Sequence, residues 1–343
     1  NGRPLPSGYA DVYYNNASAS PEDFYSLSRT GKCKGSGYDD RYIKYLFHSR
    51  TLPLGISLSE GMFWADQKVI PQIMGFPTKP GSYKVNLSAW FWESWGPDYS
   101  GNTSIQILPR PKHTVLDPWS KNKFLNLGAP FLSAEMEETA RSASGIKSGK
   151  IYYEVKVHKL GSDRDAGIGI DASWKDFPSS FISTSGKNRR PGEAQWVLTF
   201  NRNVRAFPGQ VYVPHKKEVY EDYHGYLTAN DPRRPDKEIA EGDVLMVAFD
   251  ADKGELWFGH NGKWFHPDSD PAAGKFPHIK GISLPPPRTE KYNQNPNVSY
   301  HGDYRAILAG KDGTVLTANF GDQPWSYSPP QGFAGMPYTP PAS

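Results

Sequence analysis

Hydrophobic and polar residues alternate with a period of two along much of this chain. In residues 83–90 (YKVNLSAW), Tyr83, Val85, Leu87 and Ala89 share one face, which predicts a half-buried strand. Ile105 and Ile107 around Gln106 predict a second. Pro109 and Pro111 then stop the pairing, because proline has no N–H to give to a ladder. Residues 151–157 (IYYEVKV) place Ile151, Tyr153, Val155 and Val157 inward and Tyr152, Glu154 and Lys156 outward. Residues 244–249 (VLMVAF) are continuously apolar instead, as in a strand covered on both faces. Asn261-Gly262, between residues 255–258 and 263–265, predicts a hairpin, because Asn-Gly tolerates the positive φ of a tight turn. Asp312-Gly313 repeats the device before residues 315–320. Residues 1–28 show no sustained period and read as an extended lead-in. Residues 178–193 and 213–237 are polar, charged and proline-containing, and read as long surface loops.

Composition agrees with an all-β chain. Of 343 residues, 33 are Gly and 31 Pro, which disfavours long helices, and aromatics reach 14%, far too many for a disordered chain. The length predicts two domains. The 39 Lys and Arg against 36 Asp and Glu are intermixed, so no polybasic footprint for nucleic acid stands out. The longest apolar runs are far short of a bilayer span, which excludes membrane insertion by a helix. The single cysteine, Cys33, excludes an intrachain disulfide. A targeting segment is either absent or already removed.

Five pieces occur in one order: residues 148–155 (SGKIYYEV), 167–170 (GIGI), 241–250 (EGDVLMVAFD), 254–258 (GELWF) with Asn261-Gly262, and 317–321 (TANFG). Together they resemble a SPRY domain over about residues 115–333, and residues 324–333 resemble the terminal segment of SPRY-containing bacteriophage proteins. The chain departs from the simplest of these by inserts at about 174–195, 213–238 and 284–304. Residues 52–58 (LPLGISL), 73–77 (IMGFP) and 80–85 (PGSYKV) are similar to Ig-like repeats of bacterial and phage surface proteins, although Gly75-Phe-Pro77 stands where a Gly-Thr-Pro turn is usual. The expected organisation is an extended lead-in (1–41), an Ig-like β-sandwich (42–108), a linker (109–114), a SPRY-like, concanavalin-like antiparallel β-sandwich with long loops (115–333) and a Pro-rich tail (334–343).

Motifs of catalysis are missing: no P-loop, dinucleotide fingerprint, G-x-S-x-G elbow or H-E-x-x-H occurs, and no cofactor is expected. The histidines lack zinc-type spacing, and the acidic pairs Asp163/Asp165 and Asp268/Asp270 read as solvated turns, so no metal site is expected. A glycosidase would need two facing carboxylates; Glu154 and Glu193 are the pair to check, with the exposed-strand reading of Glu154 against it. Binding chemistry is better represented. Lys187, Arg189 and Arg190 on one insert, and Tyr220, Tyr223, His224 and Tyr226 on another, combine cationic with aromatic side chains; Arg233 and Arg234 lie between prolines, and Trp174 is a candidate platform. Trp264 and Trp325 are candidate platforms on the same argument, and for all three tryptophans burial in a strand-rich core is the alternative. These residues, with the resemblance, imply a non-enzymatic virion surface protein, made in the host bacterial cytoplasm, that binds a host surface receptor, glycan or protein, through SPRY-domain loops. The resemblance also implies contacts with other virion proteins and trimeric assembly. The alternatives are a structural decoration or assembly protein and a glycan-cleaving enzyme.

Overall fold

The computed structural model describes residues 4–15, 45–48, 51–58, 63–64, 67–68, 73–91, 99–118, 120, 122–125, 127–137, 139–161, 166–172, 194–200, 203–207, 210–213, 218–221, 224–226, 238–284 and 302–340. They form strands, turns and connections, and no helix among them is long and apolar enough to cross a membrane. The protein is all-β. It divides into two compact units, Asn1–Pro111 and Lys112–Ser343.

In the first unit, strands Gly81–Phe91 and Tyr99–Leu108 form a long antiparallel hairpin within a four-stranded sheet. Val85, Ile105 and Ile107 are buried while Gln106 is exposed, following the alternation. The start of the chain differs from the expected lead-in. Gly8–Tyr9 pairs in parallel with Ile107 and Leu108, and Tyr14–Asn15 pairs with Gly75 and Met74. Tyr9, Ala10, Val12, Tyr13 and Tyr14 are all buried. Two-residue strands are too short to show a period, so burial of this aromatic run is invisible to a periodicity test.

The second unit is built on two antiparallel sheets. The seven-stranded sheet runs Lys123–Leu125, Ser133–Met136, Thr314–Asn319, Lys150–Lys159, Val244–Asp250, Glu255–His260, Lys263–Trp264. The six-stranded sheet runs Ala140–Arg141, Arg305–Ala309, Gly167–Asp171, Gln195–Thr199, Asn203–Phe207, His224–Tyr226. Between them lie Ile151, Tyr153, Val155, Val247 and Phe249 of one sheet and Ile168, Ile170 and Trp196 of the other, all buried. Tyr304 bridges the layers, its ring 5.0 Å from Phe249 and 6.1 Å from Trp196, and the Tyr153 hydroxyl donates to the Gly169 carbonyl. Strand spacing at Gly169 leaves no room for a side chain: a Cβ there would sit 2.0 Å from the Trp196 carbonyl oxygen. Gly169→Ala is therefore expected to destabilise the protein by about 3 kcal/mol, read as a lower urea midpoint, and an unchanged midpoint would show that the strands can part freely.

Two turns behave differently. Asn261 and Gly262, at φ 49° and 83°, close the hairpin between Glu255–His260 and Lys263–Trp264, and the ring of Tyr327 packs on Gly262 so that a Cβ would meet it at 2.7 Å. Asp312 and Gly313 share that backbone geometry, at φ 52° and 78°, but carry the chain from the six-stranded sheet to the seven-stranded one.

The outward face of the seven-stranded sheet corrects a second expectation. Tyr152 and Glu154 point away from the sandwich interior, yet they are 0% and 2% exposed. A strap of residues 322–338 lies over them. Its Trp325, Tyr327 and Phe333 pack with Tyr152, Met246, Ala248, Trp257 and Trp264 into a second apolar cluster. This explains the continuous apolar run at 244–249: alternate residues face the two cores. Glu154 anchors the strap. It accepts from the Ser326 N–H (2.9 Å), the Tyr327 N–H (2.8 Å) and the Tyr152 hydroxyl (2.9 Å). The strap continues through Ala334, which bridges to Ile151, and Pro337, which bridges to His113, with Met336 buried. The sandwich thus extends past residue 333 into the expected tail, because Ala334 and Met336 precede the proline cluster and are free to pair.

Candidate functional site

Register in the six-stranded sheet locates where the inserts leave. Asp171, the last residue of its strand, pairs with Gln195, the first of the next, and with Arg305, the first of Arg305–Ala309; Gln195 also pairs with Phe207, the last of its strand. Residues 172–194, the segment after 207 and the segment before 305 all therefore meet the sheet at one end.

The predicted binding residues can be set against this end. Trp174, Lys187, Arg189 and Arg190 belong to the 172–194 connection and lie outside the described residues, as do Tyr223, Arg233 and Arg234. Tyr220 lies on strand Glu218–Glu221, opposite Val211, in a hairpin inserted after Phe207. His224 pairs with Arg205 and Tyr226 with Asn203, so residues 213–237 are not simply a loop: the β-favouring Val219, Tyr220 and Tyr226 lie on strands there. The connection after Tyr226, which carries Arg233 and Arg234, leaves from the opposite end of the sheet.

At the shared end stands a group of polar side chains that sequence reasoning missed. By register Asp171, Gln195 and Arg305 lie on one face, and Arg141, opposite Ile307, lies on the same face. Arg141 Nε is 2.6 Å from Asp171 Oδ2, with the Asp171 side chain only 2% exposed. The N–H is not aligned with this contact, and Arg141 Nε and Nη2 make no hydrogen bond; nor does Gln195 Oε1. Arg305 is fully engaged, with Asp303 through two nitrogens (3.0 and 3.3 Å) and with the Ser142 and Ala143 carbonyls. The arrangement is charge-balanced, holds planar donors and acceptors together, and carries unmet polar atoms, a feature native structures tolerate rarely. The one signal in the sequence was an aspartate ending the otherwise apolar strand GIGID.

Other titratable groups prove structural. His260 Nε2 lies 2.7 Å from Asp243 Oδ2, but the carboxylate also accepts from the Ala240 N–H and Asn261 Nδ2, so it pins a turn. Burial alone would raise the pKa of Asp243; the hydrogen bonds from Ala240, Asn261 and His260 outweigh it and hold the carboxyl below its usual value. A depressed carboxylate pKa stabilises the fold above the unfolded value, about 4, and that contribution is lost as pH falls through the folded one. Asp243→Asn should therefore flatten the acid limb of a stability–pH curve below about pH 4, with little change in its slope above pH 6. Glu154, with three donors under the strap, is unavailable as a glycosidase acid, and Glu193 lies outside the described residues. Asp270 Oδ1 caps the Ala273 N–H; Asp163 and Asp165 lie outside. Among the described residues no three His, Cys, Asp or Glu side chains converge as metal ligands. Trp264 and Trp325 belong to the apolar cluster under the strap.

Backbone strain marks another place. Phe131 and Phe276 both adopt the left-handed conformation, at φ 56° and 48°, which costs an L-residue about 1–2 kcal/mol. Phe131 is 4% exposed and packs edge-on against Phe124, 5.3 Å away, which offsets the strain. Phe276 is 53% exposed and stacks on His266 at 4.6 Å and 5°, with much less burial to offset it.

No protein-family model and no curated protein matches the chain. Among solved structures it is similar to the SPRY domain of human HERC1, at 12% identity over 54% of this chain and 81% of that one, with a TM-score of 0.28. It is also similar to a protein of Parabacteroides distasonis described provisionally as a glycosyl hydrolase, at 12% identity over 53% of this chain and 72% of that one, with a TM-score of 0.21. Neither likeness transfers an activity.

Proposed function

We propose that this chain is a non-enzymatic surface protein of a bacteriophage virion, in which an Ig-like first unit acts as spacer and the second, SPRY-like unit binds a host receptor. The observation that carries the binding role is the convergence of inserts on one end of the six-stranded sheet, around Arg141, Asp171, Gln195 and Arg305. One of these inserts carries Trp174, Lys187, Arg189 and Arg190 in its sequence, the hairpin inserted after Phe207 brings Tyr220, and Tyr223 follows that hairpin in sequence. Loops held at the end of a rigid sandwich are a recurrent way to present recognition residues. The phage setting is supported by the sequence resemblance, and cationic and aromatic side chains suit a receptor surface carrying acidic or ring-shaped groups.

Fluorescently labelled chain is to be incubated with a panel of bacterial strains, alongside a variant with Lys187, Arg189 and Arg190 changed to Ala and another with Tyr220 and Tyr223 changed to Ala. The expected result is adsorption to at least one strain and its loss in a variant that melts normally. Adsorption unchanged in both variants would overturn the assignment of the inserts, and release of reducing ends from host polysaccharide would overturn the non-enzymatic reading.

A further inference from the structure

Two side chains at the insert-bearing end have hydrogen-bonding capacity that the fold leaves unspent. Asp171 and Gln195 are directly opposed on neighbouring strands, so their Cβ atoms stand about 5 Å apart on one face. Arg141 reaches the same carboxylate from the other side, past the strand Arg305–Ala309, and brings Nε within 2.6 Å of Asp171 Oδ2. A guanidinium and a carboxamide therefore flank one buried aspartate. Neither makes a hydrogen bond: Arg141 Nε and Nη2 and Gln195 Oε1 are enclosed without a partner, and Gln195 as a whole is 3% exposed. Arg141 Nη1 and Gln195 Nε2 are not enclosed, and the Arg141 side chain is 16% exposed, so the pair is reached from the surface. Neighbouring Arg305 is the contrast, because Asp303 and two backbone carbonyls take up its donors.

We propose that Arg141 and Gln195 hold the uronic acid unit of an acidic saccharide, with the sugar carboxylate on Arg141 and a neighbouring ring hydroxyl on Gln195. The inference rests on the receptor reading above and names the chemistry that receptor carries. A guanidinium offers five donors in a planar fork, which a two-oxygen carboxylate matches and a neutral sugar does not. An unbonded amide calls for a group that both gives and takes a hydrogen bond, as a hydroxyl does. Rotation about the last side-chain bond turns either Oε1 or Nε2 of Gln195 outward to meet it. An acidic peptide side chain has the carboxylate but no hydroxyl beside it. The Asp171 side chain is only 2% exposed, so an incoming anion meets nitrogen rather than that carboxylate. The connection from Asp171 to Gln195 also has the right sign, with Lys175, Lys187, Arg189 and Arg190 in its sequence against Asp176 and Glu193. Buried polar atoms left unmet break a rule that folds otherwise keep, and such breaks are expected where function requires them.

NMR titration of the full chain tests it, with the methyl glycosides of glucuronic, galacturonic and mannuronic acid as probes. The methyl glycosides of glucose, galactose and mannose, and N-acetylglutamate, serve as comparisons. At least one uronide should bind about tenfold or more tighter than its neutral counterpart and than N-acetylglutamate. Gln195→Met removes an amide that bonds to nothing, so it should hold or raise the melting temperature and still weaken uronide binding about tenfold or more. Arg141→Met combined with Asp171→Leu should lose binding in the same way. If neither variant folds, Arg141→Lys, which keeps the charge without the planar fork, takes their place with the same expected loss. The site is overturned if no uronide binds, if the neutral sugars or N-acetylglutamate bind equally well, or if a folded variant binds as the parent does. Any of these in a chain that still adsorbs to cells leaves the receptor reading standing. Uronide binding in a chain that adsorbs to no strain supports this site and overturns that reading instead.

Discussion

Glu154→Ala is expected to lower the stability of the second unit by about 3–5 kcal/mol, because three donors lose their acceptor at once inside a covered site. The Ser326 and Tyr327 N–H groups and the Tyr152 hydroxyl all converge on this carboxylate. The strap can escape part of the penalty only by lifting, which returns Trp325 to water and uncovers Met246, Ala248 and Trp257. The variant should therefore show red-shifted tryptophan fluorescence and bind a hydrophobic dye before the main unfolding transition. Glu154→Gln keeps one acceptor oxygen and should lose roughly half as much. A Glu154→Ala protein within about 1 kcal/mol of the parent would mean that the apolar contacts alone hold the strap.

Asp171→Ala should cost a comparable amount, about 3–5 kcal/mol, for a different reason. It leaves the largely buried Arg141 guanidinium without its counter-charge, when two of that group's nitrogens already lack hydrogen bonds. Replacing both members, as Arg141→Met with Asp171→Leu, should recover most of the loss, since a buried pair exchanged for apolar groups is often neutral. Urea denaturation of the two singles and the double gives the coupling, and additive effects would show that the pair does not act as a unit.

The strands were largely legible in the sequence because their burial is one-sided: Ile151, Tyr153, Val155 and Val157 are apolar for a reason that acts locally. What was illegible arose from contacts between distant segments. Glu154 reads as a solvated residue until a segment more than 170 positions later covers it, and nothing in a strand's own period announces that. Met246 and Ala248 did carry the signal, since the run at 244–249 asked for a second apolar layer without saying what supplied it. Arg141, Asp171 and Gln195 come from three separate strands and meet only through register. The left-handed backbone at Phe276 has no sequence signature, because Phe is the wrong residue for it.

The strap also fixes when this unit can be completed during synthesis. The Ser326 N–H reaches Glu154 across 172 positions of chain, so every strand from residue 150 onward is made before its outer cover exists. Chains emerge from the ribosome at roughly 5–20 residues per second, so Tyr152, Met246 and Trp257 stay uncovered for several seconds while translation runs on. The first unit also waits, since Gly8 pairs with Ile107 only 99 positions later, but it is complete long before the strap is made. Vectorial folding should thus yield a finished first unit tethered to a sticky, half-built sandwich, and a nascent-chain arrest series would place the protease-resistant transition of the second unit only after residue 338 has cleared the exit tunnel.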